Sequence, residues 1–147
     1  NSNCSKLENI RNNIPKLARV RISTNLPVQK AAIAALRGPQ DHIPMMVSKL
    51  RRRRDLVVKR LNQIGSISCN VPKGAFYAFP KINLTSRWKN DKQFVLDLLN
   101  ETGVLTVHGS GFGSNFGTDH FRIVYLPQEQ ILDEAMNKLE HFINRPG

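Results

Sequence analysis

A glycine-rich stretch that leads into a β-prone run most constrains how this chain can fold. It spans residues 108–127, HGSGFGSNFGTDHFRIVYLP, and a second β-prone run (VLTV) precedes it. Phe121, Ile123 and Tyr125 fall on alternate positions, which is the period-two pattern of a strand. Arg122 is therefore predicted to project from rigid backbone beside a glycine loop, where its fork of N–H donors suits a carboxylate or phosphate. The alternative is an ordinary surface arginine on an edge strand.

The glycine stretch does not have the pattern of a nucleotide-binding loop. GSGFGS at residues 109–114 lacks the third glycine of GxGxxG, and no Gly-Lys-Ser/Thr follows it. The stretch also leads into a strand, whereas dinucleotide and P-loop motifs open a helix. The pattern argues against nucleotide binding.

The size of the chain, 147 residues with 40% hydrophobic content, suits one domain with a proper core. No apolar run approaches membrane-spanning length, and the Asn-rich start is not a signal peptide. Cys4 and Cys69 lack metal-ligand or CxxC spacing, which favours reduced thiols in a cytoplasmic protein. The four histidines are scattered, so no metal site is expected.

The net charge of +11 admits two interpretations. A basic helix with the cluster Lys49–Arg60 on its polar face could bind a phosphate backbone, making the chain a stand-alone nucleic-acid-binding module. Low aromatic content and the lack of RNA-binding motifs weigh against this. The other interpretation is that the chain is a piece of a larger protein whose acidic portions lie elsewhere.

Hydrophobic spacing and turn residues predict the order of elements. Asn1–Ile14 is expected to be irregular and interrupted by Pro15, whereas the region after Asn25-Leu-Pro27 is expected to be helical up to Gly38. The remaining elements are a long helix over 43–64, a strand pair over 66–70 and 75–79 joined by the turn VPKG, a helix over 91–101, the strands around the glycine stretch and a closing helix over 129–144. The predicted fold class is α/β, a two-layer α+β sandwich with helices packed on a small, mostly antiparallel sheet.

Several stretches together resemble one family. They are PKGAFYAFP at 72–80, the glycine stretch ending in HFRI at 120–123, PVQKAAIAAL at 27–36 and RRRDL at 52–56 of the long helix. In this order and spacing they resemble the fold-type I, pyridoxal-phosphate (PLP)-dependent aminotransferases of class I/II, especially their archaeal aspartate/alanine aminotransferase-like branch. The resemblance begins near Lys6 and covers the C-terminal part of such enzymes.

The resemblance implies a division of the chain into two parts. Residues 1–24 would be a residual segment of the upstream large domain, and residues 25–147 the small C-terminal domain with its long connecting helix. Ser5-Lys6 is not followed by the family's Gly-x-Arg, so the Schiff-base lysine and most groups that hold PLP would lie upstream. The resemblance implies a cytoplasmic homodimer that transfers an amino group between an amino acid and a 2-oxo acid, and a fragment that is inactive alone.

The resemblance also implies roles for individual residues. Arg122 matches the arginine that binds the substrate α-carboxylate, which agrees with the carboxylate fork inferred above. Phe76 matches an aromatic position lining the substrate pocket, with a core phenylalanine as the equal alternative. Asn25 resembles an asparagine that approaches the neighbouring subunit's active site, although helix capping is the favoured role. Gly111 and Gly113 would let the backbone pass near substrate, or would simply meet the needs of a turn.

Overall fold

The structure, a computed structural model, describes residues 2–20, 23–84 and 87–145. The chain divides into two compact units, residues 1–42 and residues 43–147, which are described separately. In the described ranges the helices are α1 (Ser2–Val20), α2 (Leu26–Arg37), α3 (His42–Gln63), α4 (Asp91–Thr102), α5 (Ser114–Gly117) and α6 (Glu129–Asn144).

The first unit contains α1 and α2, and α1 differs from the prediction. The segment expected to be irregular is helical, and Pro15 lies inside the helix. The expectation gave too much weight to the proline, which removes one backbone donor, and too little to the apolar spacing of Leu7, Ile10, Ile14 and Leu17, which is helical. These four side chains are exposed.

The helix α2 begins and ends as predicted. The Oδ1 atom of Asn25 accepts a hydrogen bond from the backbone N–H of Val28 at 3.1 Å, and Pro27 lies in the first turn. At the other end, the N–H of Gly38 donates to the carbonyl of Ala34 at 2.8 Å. Both ends thus satisfy backbone groups that the helix itself leaves unpaired.

The second unit is built on small antiparallel sheets. Its strands are β1 (Ile67–Ser68), β2 (Tyr77–Ala78), β3 (Lys81–Ile82), β4 (Val107–His108) and β5 (Phe121–Val124). One sheet pairs β1 with β3, and the other has the order β2-β5-β4, with every pair antiparallel. The fold class predicted from the sequence, helices with small antiparallel sheets, is confirmed.

The predicted pairing of residues 66–70 with 75–79 is wrong. β1 pairs with β3 through Ile67 and Ile82, while β2 pairs with β5 through Tyr77 and Val124. Strands of two residues carry too few side chains to fix their partners locally. The intervening turn therefore passes β2 to the other sheet instead of closing a hairpin.

The core of the second unit lies where α3, α4 and α6 meet the sheets. The predicted stripe of α6 is largely buried, and Phe142 is 1% exposed. Trp88 is buried beside Phe94 and Phe142, with ring centroids 5.1 Å and 5.4 Å away. In α3 only the C-terminal half of the predicted stripe is buried, since Val57 and Leu61 are inaccessible while Val47 is 45% exposed.

The glycine stretch forms a 3-10 turn over Gly109–Phe112, followed by the short helix α5. Two glycines make its compactness possible, because Gly109 and Gly117 lie against each other's backbone. A Cβ on Gly117 would lie 2.0 Å from the carbonyl oxygen of Gly109. No side chain fits at such a distance, so the loop requires glycine there.

Candidate functional site

Arg122 lies in β5 against two aromatic rings. Its guanidinium carbon is 4.5 Å from the ring centroid of Tyr77 and 4.4 Å from that of Phe112. Such contacts stabilise a cation through the ring quadrupole, but they satisfy none of its N–H donors. The Nε atom is buried and has no hydrogen-bond acceptor within the described part of the chain. The site therefore presents a positioned guanidinium with at least one N–H donor that is unpaired within the described part of the chain.

The alternation of β2 explains which rings reach Arg122. Tyr77 pairs with Val124, two residues from Arg122, so Tyr77 and Arg122 are diagonal neighbours on one sheet face. Phe76 points to the other face and packs against the hydrophobic core. The centroids of the Phe76 and Tyr77 rings are nevertheless only 4.4 Å apart. The structure thus places Tyr77, which the sequence interpretation missed, over the guanidinium. A substrate-lining role for Phe76 stays a prediction.

Phe79 continues the same face and extends the aromatic group. Its ring is stacked on that of His120, with the centroids 5.1 Å apart, and meets the ring of Phe112 edge-on, with the centroids 5.9 Å apart. No role for Phe112 was predicted from the sequence, in which it stands between two glycines. The signal was present, since a lone large apolar residue between glycines has no local reason to be there.

The glycines named from the sequence lie around Phe112. Gly113 has φ +133°, which an L side chain rarely adopts, and a Cβ on Gly111 would approach the imidazole of His108 at 3.0 Å. These observations account for the glycines through the turn itself. Asn25 lies in the first unit, where it caps α2. A role near substrate for any of the three stays a prediction.

A buried carboxylate anchors the turn. Asp91, in the first turn of α4, is 3% exposed, and its Oδ2 accepts a hydrogen bond from the backbone N–H of Ser110 at 2.6 Å. Burial by itself would raise the pKa of Asp91, but hydrogen bonds from the backbone and side chain of Ser110, the charge of His108 and the amide of Lys92 together lower it. The side chain of Asp91 is thus held as a carboxylate beneath the loop.

His108 closes the same network. Its Nδ1 lies 3.0 Å from the Ser110 hydroxyl and accepts from the N–H of Gly111 at 3.2 Å. The same atom is 4.0 Å from the Asp91 carboxylate. Sequence reasoning had counted His108 only among scattered histidines, and the spacing along the chain gave no sign that it would face Asp91.

Four arginines of the basic cluster in α3 are engaged within the second unit. Arg52 pairs with Glu129 at 3.3 Å, and Arg60 pairs with Asp133 and, at 3.3 Å, with Glu140. Arg53 donates to the carbonyl of Leu126, and Arg54 to that of Pro72 at 3.2 Å. These arginines serve to join α3 to neighbouring segments, and nothing here supports the nucleic-acid alternative.

The chain matches a known family over most of its length. The family of class I and II aminotransferases matches residues 2–139. The chain belongs to this family, as the combined motifs of its sequence had indicated.

Aminotransferases from bacteria and archaea are among the relatives of the chain. Glutamate-pyruvate aminotransferase AlaA of Haemophilus influenzae is 40% identical over 131 residues, which cover 87% of this chain and 32% of that protein. The solved structure of an alanine aminotransferase from Pyrococcus furiosus is 53% identical and superposes with a TM-score of 0.79, covering 94% of this chain and 35% of that one. An aspartate aminotransferase from Rhizobium meliloti gives a TM-score of 0.69 at 38% identity, over 77% of this chain and 30% of its own. The chain spans about a third of the length of these relatives.

Family membership implies pyridoxal 5'-phosphate as cofactor, so the residues around Arg122 can be tested against it. They are a guanidinium and aromatic rings, and in the described ranges no lysine amine has a recorded contact with them. That set fits a carboxylate or a phosphate, and among the described residues it offers no amine to the aldehyde of the cofactor.

No group of three or more metal-ligating side chains occurs among the described residues. None of their helices is both long and apolar enough to span a bilayer. Cys69 is a buried free thiol, and burial raises its pKa against the opposing hydrogen bond from the Phe79 backbone. The side chain of Cys4 lies outside the described residues.

Proposed function

We propose that this chain is the C-terminal substrate-binding domain of a PLP-dependent amino-acid aminotransferase, and that Arg122 binds the substrate α-carboxylate. The observation that carries the proposal is the state of the guanidinium. It is positioned by Tyr77 and Phe112, and its buried Nε has no acceptor in the described part of the chain. A buried donor without an acceptor is costly unless a ligand completes it.

An arginine held in this way contributes orientation. Two parallel N–H···O bonds fix both the position and the plane of a carboxylate, and so direct the bonds at the α-carbon toward the reacting groups. Because the carboxylate is unchanged through the reaction, the contact stabilises the ground state and the transition state equally. Tyr77 and Phe112 shield the guanidinium from water and strengthen its electrostatic interactions.

The cofactor supplies the electron sink that amino-group transfer requires. In this proposal the cofactor is held by a large domain upstream, which also supplies the covalently bound lysine, and two such chains form a cytoplasmic homodimer. Three observations support the proposal. The chain belongs to the aminotransferase family, it spans about a third of the length of its relatives, and Arg122 offers N–H donors that suit a carboxylate. It follows that the chain alone has no transaminase activity.

The test is a comparison of two arginines that both lie on aromatic rings. Arg122→Lys keeps the charge but loses the planar fork, whereas Arg87, whose Cζ lies 4.7 Å from the rings of both Trp88 and Phe142, serves as the matched control. The full chain is titrated with pyruvate while the backbone amide signals of Tyr77 and Phe112 are followed by NMR. We expect Arg122→Lys to weaken pyruvate binding at least about tenfold and Arg87→Lys to leave it unchanged.

The same pair of variants can be tested for activity in the intact enzyme. Arg122→Lys should lower kcat/KM for the amino acid strongly, and Arg87→Lys should not. Near-normal kinetics and pyruvate binding for Arg122→Lys would refute the assigned role. If pyruvate shifts the amide signals of Tyr77 and Phe112 equally in Arg122→Lys and Arg87→Lys, pyruvate does not bind at Arg122.

A further inference from the structure

The ring of Phe112 has few supports of its own. It is 52% exposed and lies in the turn Gly109–Phe112, between glycines that give the backbone wide conformational freedom. Its recorded partners are the guanidinium of Arg122 and the edge of Phe79. The position of the ring over Arg122 therefore depends on what fixes the backbone of this turn.

Three hydrogen bonds from backbone N–H groups hold the beginning of the turn. The N–H of Gly109 donates to the His120 carbonyl at 2.8 Å, which continues the β4–β5 pairing. The N–H of Gly111 donates to Nδ1 of His108 within the same segment. The third bond, from the N–H of Ser110 to Asp91, reaches α4 and has a charged acceptor at 2.6 Å.

The bond to Asp91 differs from the others in strength and in origin. Bonds to ionised acceptors are shorter and roughly twice as strong as those between neutral groups. The carboxylate is 3% exposed, so water does not compete for it. It also comes from a helix whose Phe94 and Leu98 are fully buried, which makes it a rigid anchor outside the loop.

We propose that Asp91 is a positioning residue for the carboxylate site: by binding the N–H of Ser110 it holds the turn in the conformation that places Phe112 over Arg122. One consequence is that binding of the substrate carboxylate depends on Asp91, and this consequence rests on the proposed function. It assigns no contact between Asp91 and the substrate. Asp91 acts through the backbone of Ser110 and the ring of Phe112.

The exchange Asp91→Asn tests this with little change in volume. The amide keeps one acceptor oxygen but loses the charge, so the bond to Ser110 weakens. Asp97→Asn is the matched control, because it makes the same chemical change in the same helix. The Nε–Hε resonance of Arg122 reports the ring of Phe112 directly through the ring current, and pyruvate titration of the full chain reports the consequence.

We expect Asp91→Asn to move the Arg122 Nε–Hε resonance in the same direction as Phe112→Ala, and to weaken pyruvate binding by about fivefold. The double variant Asp91→Asn/Phe112→Ala should bind pyruvate as Phe112→Ala does, because Asp91 acts only through this ring. Asp97→Asn should resemble the wild type in both measurements.

Each other outcome overturns the inference. An unchanged Arg122 resonance in Asp91→Asn shows that the turn does not need the carboxylate. Additive effects in the double variant, or loss of dispersed amide signals across α4 and α6, assign Asp91 to general stability instead. If Arg122→Lys weakens pyruvate binding while Asp91→Asn does not, the positioning role fails and the proposed function stands. If Arg122→Lys has no effect, the proposed function itself fails.

Discussion

The ring of Tyr77 and the guanidinium of Arg122 are diagonal neighbours on one face of the β2–β5 pair, with the Cζ atom 4.5 Å from the ring centroid. The two residues are 45 positions apart in the sequence, and only the antiparallel register brings them together. The contact explains how a long, flexible side chain can be held in place on a sheet without an acidic partner among the described residues. It also gives the first prediction.

Tyr77→Leu should weaken pyruvate binding by about fivefold, because it removes a cation–π contact with the carboxylate-binding arginine. Tyr77→Phe is the control, since it keeps the ring and loses only the hydroxyl. NMR titration of the full chain measures both. If Tyr77→Phe weakens pyruvate binding as much as Tyr77→Leu does, the hydroxyl and not the ring is responsible.

The close approach of Gly109 and Gly117 predicts a large cost for a single methyl group. In Gly117→Ala the new Cβ would lie 2.0 Å from a backbone carbonyl oxygen, so the loop must open. We expect a loss of about 1–3 kcal/mol in the free energy of unfolding. Gly65→Ala is the control, because nothing lies within 4 Å of its Cβ position.

Urea unfolding followed by the fluorescence of Trp88 measures these stabilities. Trp88 is the only tryptophan in the sequence and is 4% exposed, so it reports the second unit. Equal urea midpoints for Gly117→Ala and Gly65→Ala would show that the turn relaxes around the methyl group without cost.

The chain by itself should not catalyse transamination. The described residues around Arg122 offer no lysine to the cofactor. After incubation with pyridoxal phosphate and dialysis, we expect no retained cofactor absorbance. Borohydride should label the native and the urea-unfolded chain equally, as nonspecific reaction with surface amines would. Stoichiometric labelling of a single lysine in the native chain alone would contradict the proposal that the cofactor-binding lysine lies upstream.

The three long helices of the second unit, α3, α4 and α6, could be predicted from the sequence because each carries its own signals. For α6 the apolar spacing gave the observed bounds, Glu129–Asn144, and for α4 the left-handed Gly103, at φ +73°, ends the helix where the sequence suggested. The strand pairs could not be predicted in the same way. β1 and β2 have two residues each, and no local pattern records that their partners are β3 and β5.

The candidate site was predictable in part for the same reason. Arg122 could be found because alternation and a neighbouring glycine loop mark it locally. Tyr77 and Asp91 could not, since each matters only through a contact made across the fold. Asp91 in particular resembles any acidic residue in the first turn of a helix, where the helix dipole stabilises a negative charge whether or not it has another role. Its contact with Ser110 depends on how α4 packs against the loop.

The lowered pKa of Asp91 gives the last prediction, on stability against pH. Burial opposes ionisation, but the hydrogen bonds from Ser110 and the charge of His108 hold the folded-state pKa below the ordinary value of 3.8. A group whose pKa is lowered on folding stabilises the folded state above its unfolded pKa, and this contribution disappears as the pH falls through the folded value. The difference in unfolding free energy between wild type and Asp91→Asn should therefore be larger at pH 6 than at pH 3 and should shrink below about pH 4. Urea midpoints from Trp88 fluorescence at pH 6 and pH 3 measure it, with Asp97→Asn as the control that keeps the wild-type slope. A difference that stays constant down to pH 3 would show that the Asp91 carboxylate contributes nothing through its charge.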